Sequence, residues 1–203
     1  WGGGGWLQTH GTILERAGAA GFFARFEMET SPYKAGTLGI FETLWRHGYR
    51  HVGVVLQSAL YRSEQDLQTV NARGGRVRLV KGAYKEPKAV AYPKKADVDA
   101  AYARMLTALI TGGHDPAIAT HDPKMIELAR TVAREHGIAP DRFEFQMLYG
   151  VRRDLQAMLV KAGYRVRVYI PFGREWFPYF MRRLGERPAN VMFVVRGILG
   201  ESG

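Results

Sequence analysis

The chain has 203 residues, of which 46% are hydrophobic and 24% charged, a composition that fits one globular domain and excludes disorder, collagen and coiled coil. It contains no cysteine, which excludes disulfides, thiolate metal sites and cysteine nucleophiles, so redox chemistry would need a cofactor. The 29 lysines and arginines against 19 acidic residues give a charge of +10, which favours anionic partners such as nucleic acid, lipid, phosphates or carboxylates.

In chain order, a glycine-rich start and a helical segment over residues 1–21 precede alternating strands and helices over residues 22–203. Runs rich in Val, Ile, Phe and Tyr predict six strands: Phe22–Met28, His51–Gln57, Arg76–Lys81, Ala117–His121, Arg142–Met147 and Arg165–Ile170. Four amphipathic segments that end at a glycine predict helices: those through Leu38–Trp45, Met105–Ile110, Ile126–Ala133 and Val151–Leu159. A further strand is predicted near Val191–Val195.

This alternation predicts parallel strands with helical crossovers, in an open doubly wound sheet or a closed barrel. Polar residues at the strand ends favour the barrel, whose site is built from the carboxyl ends of many strands. They are Glu27, Glu29, Gln57, Lys81, Tyr84, His121, Gln146 and Tyr169. The glycine-rich phosphate loops of doubly wound folds are absent from the sequence. We therefore predict an α/β fold of the (β/α)8 type, short for its usual length of about 250 residues.

Two arginines near the carboxyl terminus are candidate substrate ligands. Arg182, Arg183 and Glu186 share one face of a helix predicted within Trp176–Pro188. Paired guanidinium groups can hold a small carboxylate bidentately, and a glutamate beside them can hold one in place. The alternative is an exposed helix with an ordinary ion pair.

The third predicted strand carries basic residues that are costly to bury in a barrel unless an anion meets them. Arg78 and Lys81 are three residues apart, so they face opposite sides of a regular strand, and Gly82 indicates a close backbone approach. The alternative is that the charged ends reach solvent. His121 is a candidate base, cofactor donor or structural histidine, and Asp122 is expected to cap the helix that begins at Pro123. No metal site is expected, because the histidines lack ligand spacing.

Four motifs resemble the proline dehydrogenase family, of the FAD-dependent, monofunctional bacterial type. They are VRLVKGAY (Val77–Tyr84), ATHDP (Ala119–Pro123), FEFQMLYG (Phe143–Gly150) and YIPFGREWFPYFMRRLGERPAN (Tyr169–Asn190). The resemblance runs in order from about Phe26 to Gly197. It implies a distorted (β/α)8 barrel with FAD at the carboxyl ends of the strands. It also implies oxidation of L-proline to Δ1-pyrroline-5-carboxylate by hydride transfer to FAD, with a quinone as electron acceptor.

Carried over residue by residue, the resemblance implies two groups of site residues. The substrate and catalytic group comprises Arg182, Arg183, Tyr169, Glu186, Leu148 and Glu27. The FAD group comprises Gln57, Arg78, Val80, Lys81, Gly82, Ala83, Tyr84, Thr120, His121, Gln146 and Phe193. Arg78 is expected near the reactive N5 of the flavin, where a cation stabilises the negative charge that develops on reduction.

The chain departs from the family pattern at three places. The family begins its barrel with a strand that carries a lysine near the substrate carboxylate, and nothing before Phe22 has a strand pattern. We therefore expect a barrel that lacks its first strand. Glu27 replaces the family's aspartate, and Ala59 stands where an aromatic residue is commoner.

The resemblance also implies partners and a location. A membrane quinone implies peripheral contact with the inner face of the cell membrane by a cytoplasmic protein. A pyrroline-5-carboxylate dehydrogenase is expected as a separate chain. Two alternatives stay open: a basic nucleic-acid-binding domain, which the absence of RNP, KH and helix-turn-helix signatures disfavours, and a flavin-independent barrel enzyme for another small carboxylate.

Overall fold

The computed structural model describes residues 5–27, 31–82, 86–170 and 172–174, with backbone only for residues 5–10 and 31–35. The helices are α1 Gly5–Ala19, α2 Ser31–Arg46, α3 Ser63–Ala72, α4 Lys95–Gly112, α5 Pro123–Glu135 and α6 Arg153–Lys161. The strands are β1 Ala24–Phe26, β2 Val52–Gln57, β3 Arg76–Val80, β4 Ala117–Ala119, β5 Glu144–Leu148 and β6 Arg165–Tyr169. Residues 140–142 form a short 3-10 turn before β5.

The six strands form one parallel sheet in the order β1-β2-β3-β4-β5-β6. Each strand lies beside the next strand in the sequence, whereas in a doubly wound sheet the order in which the strands are added reverses part-way along the chain. The predicted strands and the barrel class are therefore confirmed, and within the described ranges β1 and β6 form the edges of the curled sheet. No strand precedes β1 in these ranges, where α1 occupies residues 5–19.

Some predicted boundaries are wrong, and one helix was missed. β4 ends at Ala119, before His121, and β5 begins at Glu144 because the 3-10 turn takes up the preceding residues. Helix α3 was not predicted, since its buried apolar stripe consists of only Leu67 and Val70. The predicted helix within Trp176–Pro188 and the strand near Val191–Val195 lie outside the described residues.

The helices cover one face of the sheet and form the hydrophobic core with it. Alternate strand residues, including Val54, Leu79 and Phe145, pack with helix residues such as Phe41 and Leu106, and all five are completely buried. Burial of each such side chain contributes about 1.5–3 kcal/mol. The core therefore fixes one face of every strand and leaves the other face to line the inside of the barrel.

Two helix ends show why the predicted glycine stops form. Gly137 after α5 and Gly163 after α6 have φ of 64° and 84°. The next residue then donates a backbone hydrogen bond to a buried helix carbonyl: Ile138 to Ala133 at 2.8 Å and Tyr164 to Leu159 at 3.0 Å. This left-handed termination favours glycine and turns the chain toward the next strand.

Candidate active site

The inner face of the sheet is unusually polar. Neighbouring residues in a parallel register point to the same side. One row of paired residues runs across β3 to β6 and consists of Arg78, Ala117, Glu144 and Arg165. Two residues further toward the carboxyl ends of β5 and β6, Gln146 lies beside Arg167. Gln57 pairs with Val80, and Leu148 pairs with Tyr169, at the carboxyl ends of their strands. The strand ends thus bring together six residues predicted for the site: Gln57, Arg78, Val80, Gln146, Leu148 and Tyr169.

Arg78 is held on this face by two predicted site residues. Its Nε donates to Oε1 of Gln146 at 2.7 Å, and its Nη1 donates to Oε2 of Glu27 at 3.2 Å. The alternative, that its charged end simply reaches solvent, does not describe Arg78, whose side chain is 18% exposed and hydrogen-bonded on both sides. A guanidinium fixed at two nitrogens has a defined plane, which is the condition for directional hydrogen bonding.

Arg25 is a second inner-face cation, which the sequence motifs do not assign to the site. It lies next to Gly53 of β2 in register, and its buried Nε has no hydrogen-bond partner among the described residues. Burial lowers the pKa of the Arg25 guanidinium to about 10, and the charge of Arg78 also lowers it, while Glu144 and Glu27 oppose the shift. The inner face therefore concentrates positive charge, which suits an anionic ligand.

Lys81 lies on the opposite side of β3 from Arg78, as the three-residue spacing predicts. Its Nζ donates to Oδ1 of Asp99 in α4 at 2.5 Å and to Oδ2 of Asp122 at 2.9 Å. The ammonium also lies 5.8 Å from the ring centre of Tyr102. These contacts tie the end of β3 to the amino ends of α4 and α5. The assignment of Lys81 to the cofactor group stays a prediction, since its described contacts are on the helix side.

Gly82 occupies a backbone conformation that other residues rarely adopt. Its φ is +105°, and a Cβ there would lie 3.2 Å from the Cβ of Ala59 and 3.4 Å from Oε1 of Gln57. The close approach expected from the sequence is therefore made to the segment that follows β2. It packs the ends of β2 and β3 together and positions the buried amide of Gln57.

The segment after β4 is ordered by three consecutive side chains. His121 Nε2 accepts a hydrogen bond from the backbone N–H of Leu148 at 2.8 Å, which requires that nitrogen to be unprotonated. Thr120 Oγ1 accepts from the backbone N–H of Asp122 at 3.0 Å. Asp122 caps α5 by accepting from the N–H of Lys124 at 3.0 Å, and Pro123 begins the helix, as predicted. This segment thus connects the ends of β4 and β5.

The remaining predicted site residues lie outside the described residues. They are Glu29, Ala83, Tyr84, Arg182, Arg183, Glu186 and Phe193. Their roles stay predictions. Within the described ranges, no group of three or more histidines or carboxylates is arranged to hold a metal ion.

Comparison with known proteins identifies the family. A family model described as proline dehydrogenase matches residues 9–196. The chain belongs to the proline dehydrogenase family. It is 48% identical over 186 residues to "Proline dehydrogenase 2" of Bacillus subtilis, and 48% identical over 188 residues to "Proline dehydrogenase" of Deinococcus radiodurans. Each alignment covers 92% of this chain and 61% of the relative, so the chain spans about three fifths of those proline dehydrogenases.

A solved structure supports the family's barrel fold. Proline utilization A from Bdellovibrio bacteriovorus, inactivated by N-propargylglycine, superposes with a TM-score of 0.78 at 30% identity. The match covers 85% of this chain and 21% of that much longer protein. The resemblance to proline dehydrogenase is therefore confirmed by sequence and by fold.

Proposed function

We propose that this chain oxidises L-proline to Δ1-pyrroline-5-carboxylate with FAD as cofactor and a quinone as final electron acceptor. One observation carries the proposal: the guanidinium of Arg78 is fixed among polar strand ends in a chain 48% identical to named proline dehydrogenases. The strand ends of such a barrel are where catalytic groups gather.

The side chains present fit a flavin in their chemistry. The pyrimidine edge of a flavin alternates hydrogen-bond donors and acceptors, and Gln57 and Gln146 carry amides that supply both. Arg78 supplies only donors, which suits a ring that becomes negative on reduction. We assign the amides, Arg78 and His121 to the flavin. When bound there, FAD supplies the acceptor for the hydride from C5 of proline.

The substrate is assigned to the residues that the family resemblance implies for proline. Arg182 and Arg183 bind the proline carboxylate, Glu186 supports them, and Tyr169 and Leu148 pack against the ring. Nearby positive charge disfavours the protonated amine of proline, so these arginines also favour the neutral amine that the reaction needs. Orientation supplies most of the rate acceleration in this scheme, and no strong base is required.

The quinone and the membrane belong to the proposal as well. A quinone is a lipid-phase acceptor, so we propose peripheral contact with the inner face of the cell membrane. No helix in the described ranges has the length and apolarity to cross a bilayer. Pyrroline-5-carboxylate must then be consumed by a dehydrogenase, which we assign to a separate chain.

Turnover tests this function. The purified chain, supplied with FAD, is assayed for L-proline-dependent reduction of a water-soluble quinone. Arg182→Met is expected to lower kcat/KM by about 30-fold or more, since a charge-assisted hydrogen bond contributes about 2 kcal/mol. Arg104→Met is the matched control, because Arg104 pairs with Glu64 on the outer surface between α3 and α4. Equal loss in both variants would refute the substrate assignment, and absence of turnover in the parent chain would refute the function.

An inhibitor gives an independent test. N-propargylglycine inactivates the Bdellovibrio protein, and we expect it to inactivate this chain in a time-dependent manner. L-Proline should protect against inactivation if both compounds occupy one site. Inactivation at the same rate with and without proline would contradict a shared site.

A further inference from the structure

Glu144 is a buried carboxylate in β5 that has no role in the scheme above. Arg167 of β6 binds it in a forked geometry, with Nε donating to Oε1 at 3.0 Å and Nη2 donating to Oε2 at 2.9 Å. The amide Nε2 of Gln146, two residues along the same strand, donates to Oε1 of Glu144. Glu144 therefore lies between an exposed arginine and an amide assigned to the flavin.

The donor and acceptor chemistry of this cluster allows one orientation of the Gln146 amide. An ionised carboxylate only accepts hydrogen bonds, so the NH2 group of Gln146 must face Glu144. A guanidinium only donates, so the amide oxygen must face Arg78, whose Nε lies 2.7 Å from it. A flipped amide would place two donors together at Arg78 and two acceptors together at Glu144.

The ionised state of Glu144 supports this orientation. Burial opposes ionisation, but hydrogen bonds from Arg167 and Gln146 outweigh it, and the charge of Arg25 adds to them, so the pKa of Glu144 lies below its ordinary value. Its carboxylate is thus an acceptor at neutral pH, and it accepts from Nε2 of Gln146. A chain of hydrogen bonds therefore runs from Arg167 through Glu144 and Gln146 to Arg78, and each bond orients the next side chain.

We propose that Glu144, held by Arg167, is a positioning residue that locks the amide of Gln146 and thereby fixes the plane of the Arg78 guanidinium. The inference deepens the proposed function and rests on it, since Arg78 and Gln146 are the groups assigned to FAD. Glu27 fixes the other side of the same guanidinium at 3.2 Å. Glu144 touches neither substrate nor cofactor in this scheme and acts only through its neighbours.

The first test reads the amide directly and needs no flavin. Side-chain amide hydrogen exchange of Gln146 is measured by NMR in the parent chain, in Glu144→Gln and in Arg167→Gln. Both variants are expected to accelerate exchange by about tenfold or more, because the carboxylate acceptor is lost or released. Arg167 is 66% exposed, so its replacement leaves the core intact if Glu144→Gln folds poorly. Glu64→Gln is the control, since it removes another arginine-bound carboxylate on the outer surface.

The second test measures coupling in FAD binding. Glu144→Gln and Gln146→Leu are each expected to weaken FAD affinity by about tenfold, and the double variant should bind FAD no more weakly than Gln146→Leu alone. An additive double variant would overturn the inference, because Glu144 would then act independently of Gln146. Unchanged exchange of the Gln146 amide in Glu144→Gln and in Arg167→Gln would also overturn it. If the parent chain binds no FAD, the proposed function fails, and the exchange measurement still decides whether Glu144 locks the amide.

Discussion

Replacement of Lys81 by methionine should destabilise the fold substantially, because it leaves two carboxylates without their buried cation. Lys81 is 8% exposed and lies 2.5 Å from Asp99 and 2.9 Å from Asp122, whose side chains are 23% and 19% exposed. Exposed ion pairs contribute about 0–1 kcal/mol, whereas removal of one partner of a fully buried pair costs about 3–5 kcal/mol. The partial exposure of the carboxylates places the expected loss in between, at about 2–3 kcal/mol.

Urea denaturation of matched variants measures this loss. Lys95 also pairs with Asp99, but its side chain is 75% exposed, so Lys95→Met should cost less than about 1 kcal/mol. Both variants remove a positive charge beside Asp99, but Lys81 is buried and also pairs with Asp122, whereas Lys95 is exposed. A free energy of unfolding no lower for Lys81→Met than for Lys95→Met would refute the reasoning.

The stabilisation that Lys81 provides should depend on pH. Burial raises the pKa of Asp99 and of Asp122, but hydrogen bonds and charge from Lys81, joined at Asp99 by those from Lys95, outweigh it, so both pKa values lie below the ordinary value of 3.8. A depressed pKa in the folded state contributes stability above the unfolded value that is lost as the pH falls through the folded value. The advantage of the parent chain over Lys81→Met should therefore be full at neutral pH and shrink below the ordinary carboxyl pKa. An advantage that grows on acidification would contradict this assignment.

Three further substitutions and one control variant test the packing around the site, each by urea denaturation. Gly82→Ala should lower the free energy of unfolding by about 1–3 kcal/mol, because the φ of Gly82 is +105°. Its control, Gly112→Ala, should instead stabilise α4, because no atom lies within 4 Å of a Cβ placed there. An equal effect of both substitutions would contradict backbone strain at Gly82. Gly53→Ala should cost about 1–3 kcal/mol, since its Cβ would lie 2.6 Å from the carbonyl oxygen of Arg76; a neutral result would refute this contact. Tyr102→Phe should cost about 1 kcal/mol, because the buried hydroxyl donates to the carbonyl of Ala119 at 3.1 Å, and unchanged stability would exclude that bond.

The fold was predictable because hydrophobic periodicity determines it locally. Strand β2 is a short apolar run, β3 alternates arginine with buried apolar residues, and α4 and α5 carry apolar stripes that end at a glycine, so each is specified by its own residues. Helix α3 was missed because only two of its residues form the buried stripe. Strand ends were less predictable, since hydrogen bonding between strands and not composition ends β4 at Ala119.

The site was predictable where a side chain lies at a strand end and less so where partners are distant in sequence. Asp99 and Asp122 lie 18 and 41 residues beyond Lys81, and only the packing of α4 and α5 brings them together. Glu144 escaped notice although a local signal existed: Glu144 and Gln146 alternate with Phe143, Phe145 and Met147. In a strand of a parallel barrel, such alternation indicates that one face is polar and lines the interior.

The most direct test of the central claim is a visible absorption spectrum of the purified chain with FAD, recorded anaerobically before and after addition of L-proline. We expect a bound flavin whose absorbance bleaches with L-proline and stays unchanged with D-proline, because oriented hydride transfer requires one configuration. That result would identify cofactor, substrate and stereochemistry together. A chain that binds no flavin, or a bound flavin that L-proline does not bleach, would contradict the proposed activity.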